Sequence, residues 1–476
     1  MSAPGELRRA IRLPHATALV VGTIIGASIF VQPSEITSRV PSVPGVLAVW
    51  VVAGALTLIG ALVTAELAST FSRSGGVYVY LTESFGPPLG FLWGWAMFWS
   101  MHSGIIAAVA VVFARYAGHV VPLSPLGTKA VAIGVILLHS AINYLGVKQG
   151  SRLQTVFTGG KLLAVVAIVA LGFGLGNRVG AHFVGPAAAP HIAPTDFLAG
   201  LVAGLFAFGG WHMVTYSSEE TIAPRRTIPR ALALGTAIVT LAYLAMNAVY
   251  LYVLPLDTVA TSTRVAADLA DALLGSGGGN AISGVVMFST FGALAGIVLT
   301  GPRVYLAMAQ DGLLFRWLGR IHPRYQTPHR AIVLQGVWAS VLVATGTFRA
   351  LFTRVVYTEW IFFGALAIGA IRLRSRLRSH DDRASSGVAS AVTFRAPGFP
   401  VTPILFALMC LAIVVNQLLV DPRSSLWGLG LVAAGLPVYY LWRRVYAGDR
   451  FPQPLLPSEL HAGAAVGREP HQGDRR

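Results

Sequence analysis

The chain has 476 residues, of which 55% are hydrophobic and only 11% charged, against about 25% charged in an average soluble domain. That balance excludes an ordinary soluble enzyme and a disordered chain. The single cysteine, Cys410, excludes a disulfide framework and any cysteine-built metal site, and the net charge of +16 is spread between apolar blocks, not gathered into one patch for nucleic acid.

A bilayer core about 30 Å thick takes roughly 20 apolar residues as a helix. Twelve blocks meet that need: 16–40, 44–70, 87–116, 129–146, 153–175, 196–217, 229–254, 281–310, 330–348, 355–371, 402–420 and 425–442. None sustains a period-two alternation, which argues against a barrel. The expected fold is therefore an all-α polytopic membrane protein with 12 transmembrane helices. Block 1 follows Arg8, Arg9 and Arg12 but lacks a signal-peptide cleavage site, and it reads as a span. With the N-terminus inside, 25 of the 35 Lys and Arg residues fall on the inner side and 8 on the outer; Lys161 and Arg303 lie within spans. Both termini are expected in the cytoplasm, with the protein integral to the cell (inner) membrane. The expected divisions are a cytoplasmic N-terminus (1–14), spans 1–5 (15–175), spans 6–10 (195–373), a basic cytoplasmic loop (374–401), spans 11–12 (402–444) and a disordered cytoplasmic tail (445–476).

Span 1 contains Gly22-Thr23-Ile24-Ile25-Gly26-Ala27-Ser28-Ile29-Phe30. Small residues in mid-membrane let helices approach closely, and Gly22-x-x-x-Gly26 fits such a packing contact. They also let a helix unwind, which is tolerable at membrane depth only where the backbone lines a cavity. Free N–H groups there bind an anion, and free carbonyls bind an ammonium. Span 6 carries a second such run, Phe206-Ala207-Phe208-Gly209-Gly210-Trp211. If the first ten spans form a 5+5 repeat, the two interruptions occupy matching places, which is the sequence pointer to a transporter site.

Other candidates follow in chain order. Glu66 ends span 2, where structural pairing at the inner mouth is the simpler role and substrate contact the alternative. Trp93, Trp95 and Trp99 in span 3 read as interface anchors. His102 in the same span is either a satisfied hydrogen-bonder or a residue facing the substrate side chain; His139 reads as packing. Lys161 lies well inside span 5, nine residues from Arg152 at the interface, too far for easy snorkelling. An intramembrane charge needs a partner or a task, so Lys161 is a proton carrier or a fixed tether. His212 beside the span 6 run is a candidate pocket residue. Glu219-Glu220 opposite Arg225-Arg226 read as a solvated loop of ion pairs. Arg303 follows Pro302 in span 8 and is expected to pair with Glu66 or Glu219 at the inner gate.

Five segments together resemble the amino acid–polyamine–organocation superfamily, and within it the L-type amino acid transporter group. Gly22–Phe30 with Val31-Gln32-Pro33 is similar to the family's G-x-x-I-G-[SA]-G-I-F-x-x-P signature. Ala65-Glu66-Leu67, Ser74-Gly75-Gly76 and Phe85-Gly86-Pro87 resemble its span 2 to span 3 connection. Phe206–Trp211 with Glu219-Glu220, Pro224 and Ile228-Pro229-Arg230 resembles spans 6 to 7. Ser289-Thr290-Phe291-Gly292, Arg303, Met308-Ala309 and Asp311-Gly312 resemble span 8 and its exit, and Pro397-Gly398-Phe399-Pro400 the entry to span 11. The resemblance implies a LeuT-type fold, two inverted five-helix repeats plus two further helices. It implies that amides near Gly26, Ala27 and Ser28 receive a substrate carboxylate. Carbonyls near Thr23 and Ile24, and near Phe206 and Phe208, would then receive the ammonium, with Gly209 and His212 also counted in the substrate site. Phe206 would serve as an aromatic gate, and Lys161 would stand where sodium sits in sodium-coupled relatives. Departures from the pattern fall at Ser28, His212, Thr215 and Ala295.

The expected function is secondary transport of amino acids by alternating access, through exchange or proton-coupled symport. Few carboxylates are visible in the pocket spans, which favours neutral amino acids over polyamines or cationic amino acids; a non-transporting sensor is the other alternative. No enzyme motif is present: H-E-x-x-H, G-x-S-x-G and the P-loop are all missing. No cofactor or metal is expected. The expected partners are the amino acid, membrane lipid and, under symport, protons. Nucleic acid is not expected, nor is a disulfide-linked heavy chain, because Cys410 falls inside span 11.

Overall fold

The structure, a computed structural model, describes residues 7–26, 28–176, 192–262, 264–275, 277–346, 357–381 and 394–445. The expected disordered tail beyond residue 445 and residues 382–393 of the basic loop lie outside them, as does Ala27. Among the described residues the fold is all helix, with a single isolated bridge between Ile11 and Thr221. Among the described residues nine helices are long and apolar enough to cross a membrane: Val43–Thr70, Pro87–Gly118, Pro125–Tyr144, Val147–Leu175, Pro194–Glu220, Pro224–Val253, Gly278–Gln310, Val401–Val420 and Pro422–Val445. Each corresponds to one of the blocks read from the sequence.

The other three blocks fall short of that measure for physical reasons. Block 1 is broken: α1 (Leu13–Ile24) stops, a single 3-10 turn spans Ser28–Phe30, and α2 (Gln32–Arg39) restarts with Pro33 in its first turn, where the missing N–H costs nothing. Block 9 forms α15 (His329–Thr345), only 17 residues long. Block 10 forms α16 (Thr358–Asp381), whose apolar stretch lies between Glu359 and the basic run from Arg372.

The helices that frame the interior are α3 (Val43–Thr70), α6 (His102–Val120), α8 (Val147–Leu175), α9 (Pro194–Ala207), α10 (Pro224–Val253) and α13 (Gly278–Thr300). Helix α1 packs against α8, α10 and α13, and α3 packs against α9 and α10. Close approach is built from glycine: a Cβ on Gly22 would sit 1.9 Å from the Gln154 amide, and one on Gly235 would sit 2.6 Å from Val20. Between α10 and α13 the chain makes two short helices, α11 (Leu256–Thr261) and α12 (Val265–Leu274). Helix α11 packs on α2, and α12 packs on α13; no long apolar run announces either.

Trp93 was expected at the interface and instead sits wholly inside the bundle. Its ring packs edge-on against His212 and Phe362. A π turn at Met97–Met101 follows it, before α6.

Candidate functional site

The break in span 1 frees backbone carbonyls that a continuous helix would bond internally, and side chains from three other helices meet them. From α8, Lys161 Nζ donates to the carbonyls of Gly22 at 3.0 Å and Ile25 at 2.7 Å. Lys161 is 2% exposed, so these carbonyls take the place of the water a buried ammonium would otherwise lose. From α10, the Tyr243 hydroxyl donates to the carbonyl of Ile24 at 3.1 Å. From α13, the Ser289 hydroxyl donates to the carbonyl of Gly26 at 3.1 Å.

The break in span 6 lies beside it. Helix α9 ends at Ala207, Gly210 turns with φ 97°, and a 3-10 stretch runs from Trp211 to Glu220. Gly210 faces the other break, where a Cβ would lie 3.1 Å from the Thr23 carbonyl. Two hydroxyls tie the breaks together. Thr23 Oγ1 lies 3.2 Å from the Gly210 carbonyl and 2.8 Å from that of Leu19, so its one proton is shared between them, and the Tyr243 proton is shared between Ala207 and Ile24, each at 3.1 Å.

A cavity of about 280 Å³ opens at this junction, just under the roughly 300–1,000 Å³ usual for small-molecule sites. Thr23, Ile24, Gly26 and Ser28 of the first break line it, as do Phe206, Gly209 and Gly210 of the second. Ile105 and Val109 of α6, Ala293 and Ile297 of α13, and Trp360 and Phe363 of α16 form its apolar walls. Phe208 does not line it; its ring packs on Trp50 and Tyr243. His212 does not line it either. Its ring is enclosed by Trp93, Trp211, Tyr216 and Phe363, and neither ring nitrogen has a hydrogen-bond partner among the described residues. His102 stands behind the wall, with Nε2 2.9 Å from the Ile297 carbonyl. His139 is buried against Phe291.

Three residues of the site were given no site role from the sequence, although Ser289 falls in the span 8 motif. Tyr243 and Ser289 looked like ordinary polar residues of membrane helices. Glu359 is the third. It enters the cavity wall from α16, is 7% exposed, and is the single carboxylate among the described residues that line the cavity. It has neither a salt bridge nor a hydrogen bond among the described residues. One carboxylate is in keeping with the expected scarcity of acid in the pocket; a lone acid at the start of a span was the available signal for it.

At the end of the bundle that carries the N-terminal segment, charged side chains replace backbone as the organising element. Arg303 pairs bidentately with Glu220, Nε to Oε2 at 2.7 Å and Nη2 to Oε1 at 2.8 Å, both residues 0% exposed. Its Nη1 donates to the Leu299 carbonyl. This corrects two expectations. Arg303 pairs with neither Glu66 nor Glu219, and Glu220 is not part of a solvated loop, because the 3-10 winding carries it inward. The Glu220 carbonyl also accepts from the amides of Ala10 and Ile11 at 2.9 and 3.0 Å, so the N-terminal segment is docked on the exit of span 6. Glu219 accepts from the Ser74 amide at 3.2 Å. Asp311 accepts from Tyr78 at 2.6 Å and pairs with Arg73. Glu66 pairs with Arg374 of α16 (2.7 Å from Nη2) and accepts from the Ala396 amide at 2.8 Å.

A family model described as "Amino acid permease" matches residues 11–439. The serine/threonine exchanger SteT of Bacillus subtilis (strain 168) is 31% identical over 437 residues, covering 91% of this chain and 97% of the relative. The human large neutral amino acids transporter small subunit 2 is 30% identical over 454 residues, covering 91% and 80%. The human cystine/glutamate transporter is 29% identical over 451 residues, covering 92% and 86%.

Proposed function

The chain belongs to the amino acid permease family; it is an integral membrane transporter of amino acids and not an enzyme, and we propose that it moves α-amino acids by alternating access through the cavity between the two breaks. In this reading the described helices belong to a 12-span, LeuT-type arrangement, with inverted repeats at 15–175 and 195–373 and two further spans at 402–444. The observation that carries it is the convergence of both backbone interruptions on one cavity of amino-acid size. The break at Gly26 and Ser28 offers amides to a carboxylate, and Thr23, Ile24, Phe206 and Gly209 offer carbonyls to an ammonium. Ala27, which the sequence pattern also assigns to the carboxylate, lies outside the described residues. Phe206 closes over the bound molecule. Both termini face the cytoplasm of the cell membrane, which puts Arg303–Glu220 at the inner mouth. Cys410 is buried in its helix, and we expect no disulfide-linked partner.

Coupling is read as exchange. Lys161 occupies the space beside the span 1 break and holds two of its carbonyls, so it acts as a tether and leaves little room for a co-transported cation; the similarity to a serine/threonine exchanger supports the same mode. The test is purified protein in liposomes with a set of labelled amino acids, with and without internal amino acid and with and without an inward proton gradient. Uptake that requires internal amino acid is expected. Gradient-driven uptake into empty liposomes, lost in Lys161→Ala, would instead make Lys161 a proton carrier. No flux of any amino acid would overturn the transport reading.

A further inference from the structure

The cavity has a polar end that its backbone explains and a second polar group that its backbone does not. The breaks supply both halves of a site for the α-carboxylate and α-ammonium, groups common to every amino acid. Glu359 belongs to neither break. It comes from α16, flanked by Trp360, with Phe363 one turn further on, and across from the apolar side chains of α6. The ion pairs of the described residues use Glu66, Glu220 and Asp311 at the other end of the bundle, Glu35 on α2, and Asp268 and Asp271 on α12, and none reaches Glu359. Lys161, the one lysine buried in this region, is committed to the carbonyls of Gly22 and Ile25.

We propose that Glu359 is the specificity determinant of this cavity and that the preferred substrates are amino acids whose side chain ends in a cationic group. The inference rests on the transport reading above. An aliphatic side chain filling these apolar walls would strip water from the carboxylate and return no partner, which is unfavourable in a low-dielectric site. An ammonium or guanidinium returns a charge-assisted hydrogen bond. The same carboxylate repels acidic side chains. The neutral preference expected from the sequence is therefore replaced by a basic one. Discrimination is expected to be sharp, because a site built around a hydrogen-bonding group rejects the analogue that lacks it more strongly than an apolar pocket rejects a methylene.

The test compares arginine with citrulline, which has nearly the same shape but a neutral urea end. Proteoliposomes loaded with a mixture of unlabelled amino acids are assayed for uptake of both labels, and of leucine and glutamate. Wild-type protein is expected to take up arginine at least 10-fold faster than citrulline at equal concentration, and glutamate least of all. Glu359→Gln is expected to lower the arginine-to-citrulline ratio by at least 10-fold, and Glu359→Asp to lower it less. The wild-type ratio needs no variant, so a poorly folded Glu359→Gln leaves the test intact. Equal uptake of citrulline or leucine and arginine by the wild type would overturn the assignment while leaving the transport reading standing. So would uptake of neutral amino acids driven by a proton gradient and losing that dependence in Glu359→Gln, which would make Glu359 a proton-binding group. Absence of flux for every amino acid would overturn the transport reading, and this inference with it.

Discussion

The two polar regions of the bundle solve the same problem by different means. Around the breaks, freed backbone carbonyls are met by single side chains: Lys161, Tyr243, Ser289 and Thr23. At the other end, side chain meets side chain: Arg303 with Glu220, Arg73 with Asp311, Arg374 with Glu66. These single contacts hold the unwound backbone in place without closing the cavity that it lines. A bidentate ion pair leaves little unsatisfied and closes that end. If the molecule alternates, the first region must persist through the cycle while the second must come apart, and substitutions should separate the two.

Lys161→Ala should have the largest effect. It leaves two buried carbonyls without their donor and removes the charge that holds the unwound turn. Exchange in proteoliposomes is expected to fall at least 100-fold, with the protein still monodisperse. Lys161→Ala with exchange within threefold of wild type would show that the tether is dispensable and that the comparison between the regions is wrong.

Breaking the Arg303–Glu220 pair comes next, and its signature is stability. Removing one partner strands a fully buried charge, at about 3–5 kcal/mol. Glu220→Gln or Arg303→Met should therefore lower the unfolding temperature sharply in detergent. The double variant should recover much of the loss, because replacing both members of a buried pair is often close to neutral. A double variant no more stable than the worse single one would mean that Glu220 matters chiefly through its backbone contact to Ala10 and Ile11.

Tyr243→Phe should have a smaller but more localised effect. Its hydroxyl is shared between Ile24 of one break and Ala207 of the other. Losing it takes a donor from the Ala207 carbonyl and leaves Ile24 with the Gly26 amide alone, at about 1–3 kcal/mol, and frees the breaks to shift apart. A fall in exchange of roughly 10-fold, with KM rising and thermal stability falling modestly, is expected. Ser289→Ala, which touches one break only, should cost less than Tyr243→Phe. The reverse order would mean that the breaks are not held to each other through Tyr243.

What the sequence could reveal follows from this contrast. The breaks were legible because glycine clusters are conspicuous inside apolar blocks, and Lys161 because a charge there is expensive. Their partners were not. Tyr243 reaches Ile24 across 219 residues and Ser289 reaches Gly26 across 263, and one hydroxyl among many in a helix carries no local mark of that. The same limit produced the wrong partner for Arg303. Glu219 and Glu220 are adjacent, and which one turns inward depends on whether the exit of span 6 winds as α or 3-10. His212 looked like a pocket residue by its position after the break, yet the 3-10 winding turns its ring into the aromatic cluster of Trp93 and Phe363. The boundaries of long spans were recoverable within about six residues, because length and hydropathy fix the apolar part but not the polar turn that precedes it; α11 and α12 were not, since neither needs to cross the bilayer.

The smallest effect is expected at Glu66. Its pair with Arg374 joins α3 to α16 and to the chain entering the helix Val401–Val420, but Arg374 is 14% exposed, and the Ala396 amide offers a second donor. Glu66→Gln keeps an acceptor for that amide and loses the charge alone. Partial solvent screening reduces what the charge is worth, so stability should fall by only about 1 kcal/mol and exchange by less than threefold. Raising the salt concentration should narrow the gap between variant and wild type here, yet leave the gap for Glu220→Gln unchanged, because a pair with no exposure is not reached by counterions. Equal salt sensitivity at both sites would mean that water penetrates to Arg303 and Glu220. That would place the opening of this end within the resting ensemble and not only in the transport cycle.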